Sequence, residues 1–273
     1  MSGTPTLDWQ AQALETRLAP LLPGLSVEVL AESESTNTLL IEQARQAGTD
    51  ARPTLLVSEH QRGGRGRMGR AWVAAPGASL TFSLGLVLPP AADTSGLSLA
   101  VGCALAEALE PSGRQLRIKW PNDLWLVDAD AEATQGRKLG GILIESQLRG
   151  AQRYLVVGVG LNVRALEAGA DASQLGSGYA STSELQAGLD QAPAVLDRVA
   201  PALLRCVLDF EGQGFAAWQT RFEQRDLCKG HPVTAGELVG VAQGVSDSGE
   251  LLLQTPSGPQ RIASGEVSLR LDH

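Results

Sequence analysis

The sequence predicts an α+β fold closed by a small C-terminal β-barrel, and three observations carry that expectation. Apolar residues recur at helical spacing near the start, at Leu7, Ala11, Leu14, Leu18 and Leu21. Through the middle, strand-like apolar runs alternate with stretches rich in Ala and Leu. After about Asp226 the chain changes to short apolar runs separated by Gly and Ser.

Taken in order, residues 6–22 form one amphipathic helix ended by Pro23-Gly24, and residues 27–30 a short strand. Ser35-Thr36-Asn37 stand directly before Leu39-Leu40-Ile41, a helix start whose polar side chains can cap free N–H groups. Strands follow at 55–57 and 80–88, the latter closed by Pro89-Pro90, and residues 96–109 read as a buried helix. Residues 117–120 and 124–127 are strands around Pro121-Asn122-Asp123, where proline presets the turn. Two more strands cover 140–146 and 154–163. The small, polar stretch 165–183 is expected on the surface. Helices cover 193–210 and 215–225, with Pro201 expected to kink or divide the first. Runs at 233–234, 238–241, 251–253 and 267–271 build the barrel, which is too small to bury much surface alone and should dock on the larger part.

With 273 residues, 43% of them hydrophobic, the chain can hold one large domain and a small appendage. No apolar run approaches the roughly 18 residues of a membrane helix, and the N-terminus lacks the basic and apolar regions of a secretion signal. A cytoplasmic protein with no membrane partner is expected. Cys103, Cys206 and Cys228 are odd in number and far apart, which suits buried thiols in a reducing compartment. No metal held by protein side chains is expected. A formal net charge of -8 weighs against broad nucleic-acid binding.

Against that acidic background, Arg62-Gly63-Gly64-Arg65-Gly66-Arg67-Met68-Gly69-Arg70 places four arginines and four glycines in one loop. Glycine lets main-chain N–H groups approach a ligand, and arginine offers paired donors to carboxylate and phosphate oxygens. The loop reads as an anion cradle. The alternative is a disordered tract that binds RNA or an acidic partner without catalysis, but strands on both sides argue for a folded site. Lys119 is one of only three lysines, and it ends a strand before a tight turn, where a positioned ammonium can offset developing negative charge. Glycines interrupt the strands at Lys138-Leu139-Gly140-Gly141-Ile142-Leu143 and Gly158-Val159-Gly160-Leu161-Asn162-Val163, marking close approach of a ligand or a backbone.

These segments, with Ser35-Thr36-Asn37, Glu59-His60-Gln61, Trp72, Lys119-Trp120-Pro121-Asn122-Asp123-Leu124 and Gly265-Glu266-Val267-Ser268-Leu269-Arg270, stand in order over residues 35–270. Together they strongly resemble biotin protein ligases of the group without an N-terminal DNA-binding domain. The resemblance implies a mixed β-sheet flanked by helices over residues 1–225 and an SH3-like barrel over 226–273. It implies that ATP and biotin give biotinyl-5'-AMP, which then biotinylates a lysine of a biotin carboxyl carrier protein, the acetyl-CoA carboxylase subunit. Mg2+ would arrive with the nucleotide.

By the same resemblance Lys119 and Arg67 are catalytic. Biotin would be held by Ser35, Thr36, Asn37, Gln61, Arg65, Gly66, Arg67, Lys119 and Gly141. ATP and the adenylate would meet Arg65, Arg67, Trp72, Asn122, Lys138 and Asn162. Met68 departs from a position often polar or basic in relatives. Only 34 residues precede Ser35, too few for a winged helix-turn-helix, so no specific DNA is expected. Homodimerisation is left open. The nearest alternative of the same fold is a lipoate or octanoate ligase or transferase.

Overall fold

The structure is a computed structural model that describes residues 5–72, 74, 76–128, 136–149, 151–166, 178–263 and 269–271. Its larger sheet has seven strands: β1 (Ser26–Ser33), β2 (Thr54–Gln61), β3 (Ser79–Leu88), β4 (Leu116–Lys119), β5 (Asp123–Val127), β6 (Gly136–Arg149) and β7 (Gln152–Asn162). They lie in the order β1-β2-β3-β7-β6-β5-β4. The β1–β2 pair is parallel and the others antiparallel, so the sheet is mixed.

Strand alternation assigns the two faces. Leu55 and Val57 point into the main core with Leu80, Phe82 and Leu84, where α3 (Leu97–Leu109) and α4 (Ala192–Gln213) cover the sheet. Leu56 points the other way, into a smaller cluster with Leu40 and Ala44 of α2 (Thr36–Ala47) and Tyr154 and Val156 of β7. Both faces are therefore covered at the sheet's centre, which is why β3 reads as an almost unbroken apolar run.

Several expectations change. The first helix, α1, spans only Ala11–Leu18, because Gln10 takes a left-handed φ of 46° and Leu21 and Leu22 close hydrogen-bonded turns back to Leu18. Pro201 does not divide α4, which runs unbroken through it. Proline removes the N–H that would reach the carbonyl four residues back, and that carbonyl, on Asp197, instead accepts from Arg17 Nη2 at 2.9 Å. A donor from α1 thus replaces the missing helical bond. The stretch expected as a surface loop at 165–183 lies partly outside the described residues. Its described end, Ala180, Ser181 and Thr182, is buried, because Ala180 N donates to the Lys138 carbonyl at 2.9 Å and Thr182 Oγ1 to the Leu189 carbonyl at 2.6 Å.

After the short helix α5 (Gln219–Glu223), the second sheet contains β8 (Pro232–Ala235), β9 (Leu238–Val245), β10 (Leu251–Thr255), β11 (Gly258–Ile262) and β12 (Leu269–Leu271) in the order β11-β10-β9-β8-β12. Its pairings are all antiparallel, with β11 and β12 as edges. Strand β11 carries no apolar signal, since Pro259, Gln260 and Arg261 are exposed and Ile262 alone is buried. Docking on the larger part is tight. Trp120 Nε1 donates to the Gly249 carbonyl at 3.0 Å, and a Cβ on Gly249 would meet Gly96 Cα at 2.7 Å. Gly249 also holds a φ of 82°, so this backbone contact requires glycine twice over.

The segment that joins the two parts runs beside β4, with Ile118 N donating to the Arg225 carbonyl at 2.8 Å and Leu227 N to the Ile118 carbonyl at 3.0 Å. Asp226 is half-buried there. Its Oδ1 accepts from Cys228 N at 2.8 Å, while Oδ2 has no partner among the described residues. Burial pushes its carboxyl up to about 6, against the backbone N–H groups of Cys228 and Lys229, which favour the charged form. The unfolded value is about 3.9, so between roughly pH 4 and 6 the folded chain keeps a proton that the unfolded chain has released, and stability falls as pH rises through that window. Asp226→Asn should therefore stabilise the protein by about 1–2 kcal/mol at pH 8, after the cost of one unpaired amide donor. Thermal melts at pH 8 and pH 4 check this: the gain should vanish at pH 4, and an equal gain at both would assign it to another cause.

Candidate active site

One cavity of about 340 Å³ gathers every site residue expected from the sequence: Ser35, Thr36, Asn37, Gln61, Arg65, Gly66, Arg67, Trp72, Lys119, Asn122, Lys138, Gly141 and Asn162. It opens where the chain leaves β1 and β2, and β6 and β7 form its floor. Ser35 is the N-cap of α2, in extended conformation, with Oγ accepting from Thr38 N at 3.4 Å. That cap aims Thr36 and Asn37 inward. Both are buried and polar, and each is accounted for: Gln61 Oε1 accepts from Thr36 N at 2.9 Å, and Asn37 Nδ2 donates to Glu145 Oε2 at 2.8 Å.

The arginine-glycine loop is a closed hairpin. Arg62 N and Gly63 N extend the β1–β2 pairing to the carbonyls of Ser33 and Glu34, and Trp72 N donates to the Gly64 carbonyl at 2.8 Å, which ties the neck. A Cβ on Gly64 would lie 2.7 Å from the Trp72 carbonyl oxygen, so the neck closes only on glycine. Gly66 N donates to the Arg70 carbonyl at 2.6 Å, and Met68, at φ 55°, points into solvent at the tip. Arg65 reaches Thr38 Oγ1 at 3.0 Å. The Arg67 guanidinium has no hydrogen-bond partner among the described residues, and burial, helped by the neighbouring Arg70, holds it below its ordinary value despite Asp123. An incoming anion would relieve that cost.

Trp72 lies against the floor, where a Cβ on Gly160 would come within 2.5 Å of its ring. Its buried Nε1 has no acceptor among the described residues, a donor that a ligand oxygen would satisfy. Lys138 Nζ pairs with Asp123 Oδ1 at 2.7 Å and stands 5.9 Å from the Trp72 ring centre. A Cβ at Gly141 would lie 3.3 Å from Asp123 Oδ1, so glycine keeps that pair uncrowded. Lys119 Nζ sits 4.2 Å from the Trp125 ring centre. Asn122 Nδ2 donates to the Ile142 carbonyl at 2.8 Å, and Asn162 Nδ2 to the carbonyls of Lys138 and Ala180 at 3.2 and 3.0 Å. Both amides thus brace the cavity's backbone.

Three contributors escape the sequence reading. Asp123 sits inside the lysine hexapeptide, next to the turn, and that adjacency is the signal that could have found it. Ser83 and Glu145 lie mid-strand and touch Thr36 and Asn37 only through folding. The cavity is strongly cationic: Arg65, Arg67, Arg70, Lys119 and Lys138 face it against the single carboxylate of Asp123 among the described residues. Such a donor set fits two anions brought together, a carboxylate and a nucleotide polyphosphate.

Residues 29–162 match the biotin/lipoate A/B protein ligase family, and residues 233–270 match the biotin protein ligase C-terminal domain. The fold and site thus define an acid-activating ligase of the biotin/lipoate class. The chain is 35% identical over 260 residues to the bifunctional ligase/repressor BirA of Escherichia coli, covering 91% of this chain and 75% of that protein. It is 34% identical over 255 residues to the biotin--[acetyl-CoA-carboxylase] ligase of Paracoccus denitrificans, covering 88% and 98%. The solved structure of the Aquifex aeolicus biotin protein ligase in complex with biotin and ATP superposes with a TM-score of 0.69 at 28% identity, covering 92% of this chain and all of that one. The chain belongs to the biotin protein ligase family.

Proposed function

We propose that the cavity performs both halves of protein biotinylation: it joins biotin to ATP as biotinyl-5'-AMP, then presents the mixed anhydride to a lysine of a biotin carboxyl carrier protein. The observation that carries this is the pairing, in one cavity, of a neutral hydrogen-bonding corner with a cationic wall. Ser35, Thr36, Asn37 and Gln61 offer hydroxyls and amides suited to a ureido ring. Arg65, Arg67 and Lys119 face the place where biotin's carboxylate attacks the α-phosphorus and pyrophosphate leaves, and they offset the charge gathered there. Mg2+ bound to the polyphosphate adds countercharge when the nucleotide is present. Trp72 walls the adenylate, while Asn122, Lys138, Gly141 and Asn162 shape that side of the cavity.

Biotin is favoured over lipoate or octanoate because the C-terminal sheet matches the biotin ligase domain and the relatives are named for biotin. The unit borders at 225 and 226 belong to the same reading, since the joining segment beside β4 falls there. Recognition of operator DNA is not expected of a chain with a formal net charge of -8. Among those residues no helix is long and apolar enough to cross a membrane. A cytoplasmic site of action fits the three buried free thiols. Mass spectrometry after incubation with biotin and MgATP should find biotinyl-5'-AMP retained by the protein. Retention of an adenylate with lipoate but not biotin would reverse the substrate assignment.

A further inference from the structure

The ammonium of Lys119 rests on an aromatic side chain that does not itself line the cavity. Lys119 stands opposite Asp123 in the β4–β5 pairing, which makes Trp125, two residues further along β5, its diagonal neighbour on the same face of the sheet. Lys119 Nζ lies 4.2 Å from the centre of the Trp125 ring, inside the roughly 6 Å range of a cation–π contact. Trp125 is buried behind the cavity wall to which Lys119 belongs.

The indole is there for more than filling space. A Cβ on Gly136 would come within 3.1 Å of Trp125 Cε3, so glycine leaves room for the edge of the ring. The buried Nε1 has no acceptor among the described residues. Leucine or phenylalanine would occupy the core without an unpaired donor, so packing alone does not call for an indole. What tryptophan adds is the strongest π face of any side chain.

The charges around Lys119 explain why a neutral ring suits it. Arg65, Arg67, Arg70 and Lys138 face the same cavity, and Asp123 Oδ1 is engaged by Lys138 Nζ at 2.7 Å. A carboxylate beneath Lys119 would fix its ammonium but cancel the charge that must meet the reacting phosphate. A ring has no net charge, so it can fix the ammonium and leave its field intact. We propose that Trp125 is a positioning residue whose π face holds the Lys119 ammonium in place for the activation step. The inference rests on the assignment of Lys119 to that step.

Fluorinated tryptophans placed at position 125 alone test it, because fluorine withdraws π density and barely changes the shape of the ring. Over one, two and three ring fluorines, kcat for biotin-dependent pyrophosphate release by the full chain should fall stepwise to roughly a fifth, with KM for biotin and MgATP within about twofold. Trp125→Leu should lose about tenfold in kcat, and Trp125→Phe, which keeps a weaker face, should recover part of it. In Lys119→Gln the fluorinated series should be flat. A flat series in the otherwise unchanged chain, or an equal slope in Lys119→Gln, overturns the proposal. If Trp125→Leu also lowers the melting temperature, the fluorinated series still separates the π contact from packing. A Lys119→Gln protein of near-normal rate would instead remove the assignment beneath the proposal, and the proposal with it.

Discussion

Lys119→Gln is expected to slow biotin-dependent pyrophosphate release by roughly 10²- to 10³-fold, the loss typical of removing one preorganised electrostatic stabiliser. Lys119 ends β4, directly opposite Asp123 in the β4–β5 pairing. Four paired residues and the tight turn fix its backbone, and the Trp125 ring supports its ammonium from 4.2 Å. A charge held this way does not have to be reorganised as negative charge gathers on the α-phosphate. Glutamine is polar, only one atom shorter, and drops the charge, so the melting temperature should move little. Stopped-flow or coupled pyrophosphate assays at saturating biotin and MgATP check the rate. A variant of near-normal rate would remove Lys119 from the activation step.

Arg67→Gly should act on a different quantity, the lifetime of the bound intermediate. Without a ligand the loop crowds Arg65, Arg67 and Arg70 around the same space, and Arg67 carries an unrelieved desolvation cost. Bound biotinyl-5'-AMP supplies the countercharge, so closure over it is strongly favoured and shields the anhydride from water. Removing Arg67 takes away a charged contact worth about 1.5–3 kcal/mol, so the intermediate should dissociate roughly 10- to 100-fold faster while its synthesis falls less. The released anhydride would then acylate lysines of unrelated proteins. Filter-binding decay of labelled intermediate, together with biotin incorporation into a bystander protein, reads both effects. Equal decay and equal bystander labelling would show that Arg67 does not hold the loop closed.

Local chemistry made much of this molecule legible before any coordinates. Apolar period, capping and turn residues act within a few positions, so α2, α3 and the β4–β5 turn stand where their residues place them. The arginine-glycine loop was readable because glycine and arginine are needed for backbone approach and anion contact wherever such a loop occurs. Misreadings arose where distant residues decide. Pro201 stays within a helix because Arg17, far away in sequence, caps the carbonyl that it frees. Strand β11 exists because β10 offers a partner edge, although its own residues are polar. Residues 180–182 are buried because Lys138 and Leu189 accept their hydrogen bonds.

The sequence by itself determined the class of the site: a cationic, glycine-lined cradle beside a neutral polar corner. Only the tertiary structure decided how those groups are held. Asp123 against Lys138, Trp72 on Gly160, and Ser83 and Glu145 behind Asn37 are contacts between residues 15 to 108 positions apart. Their geometry follows from strand register and from the absence of a Cβ at a few glycines, and neither is written in any one segment.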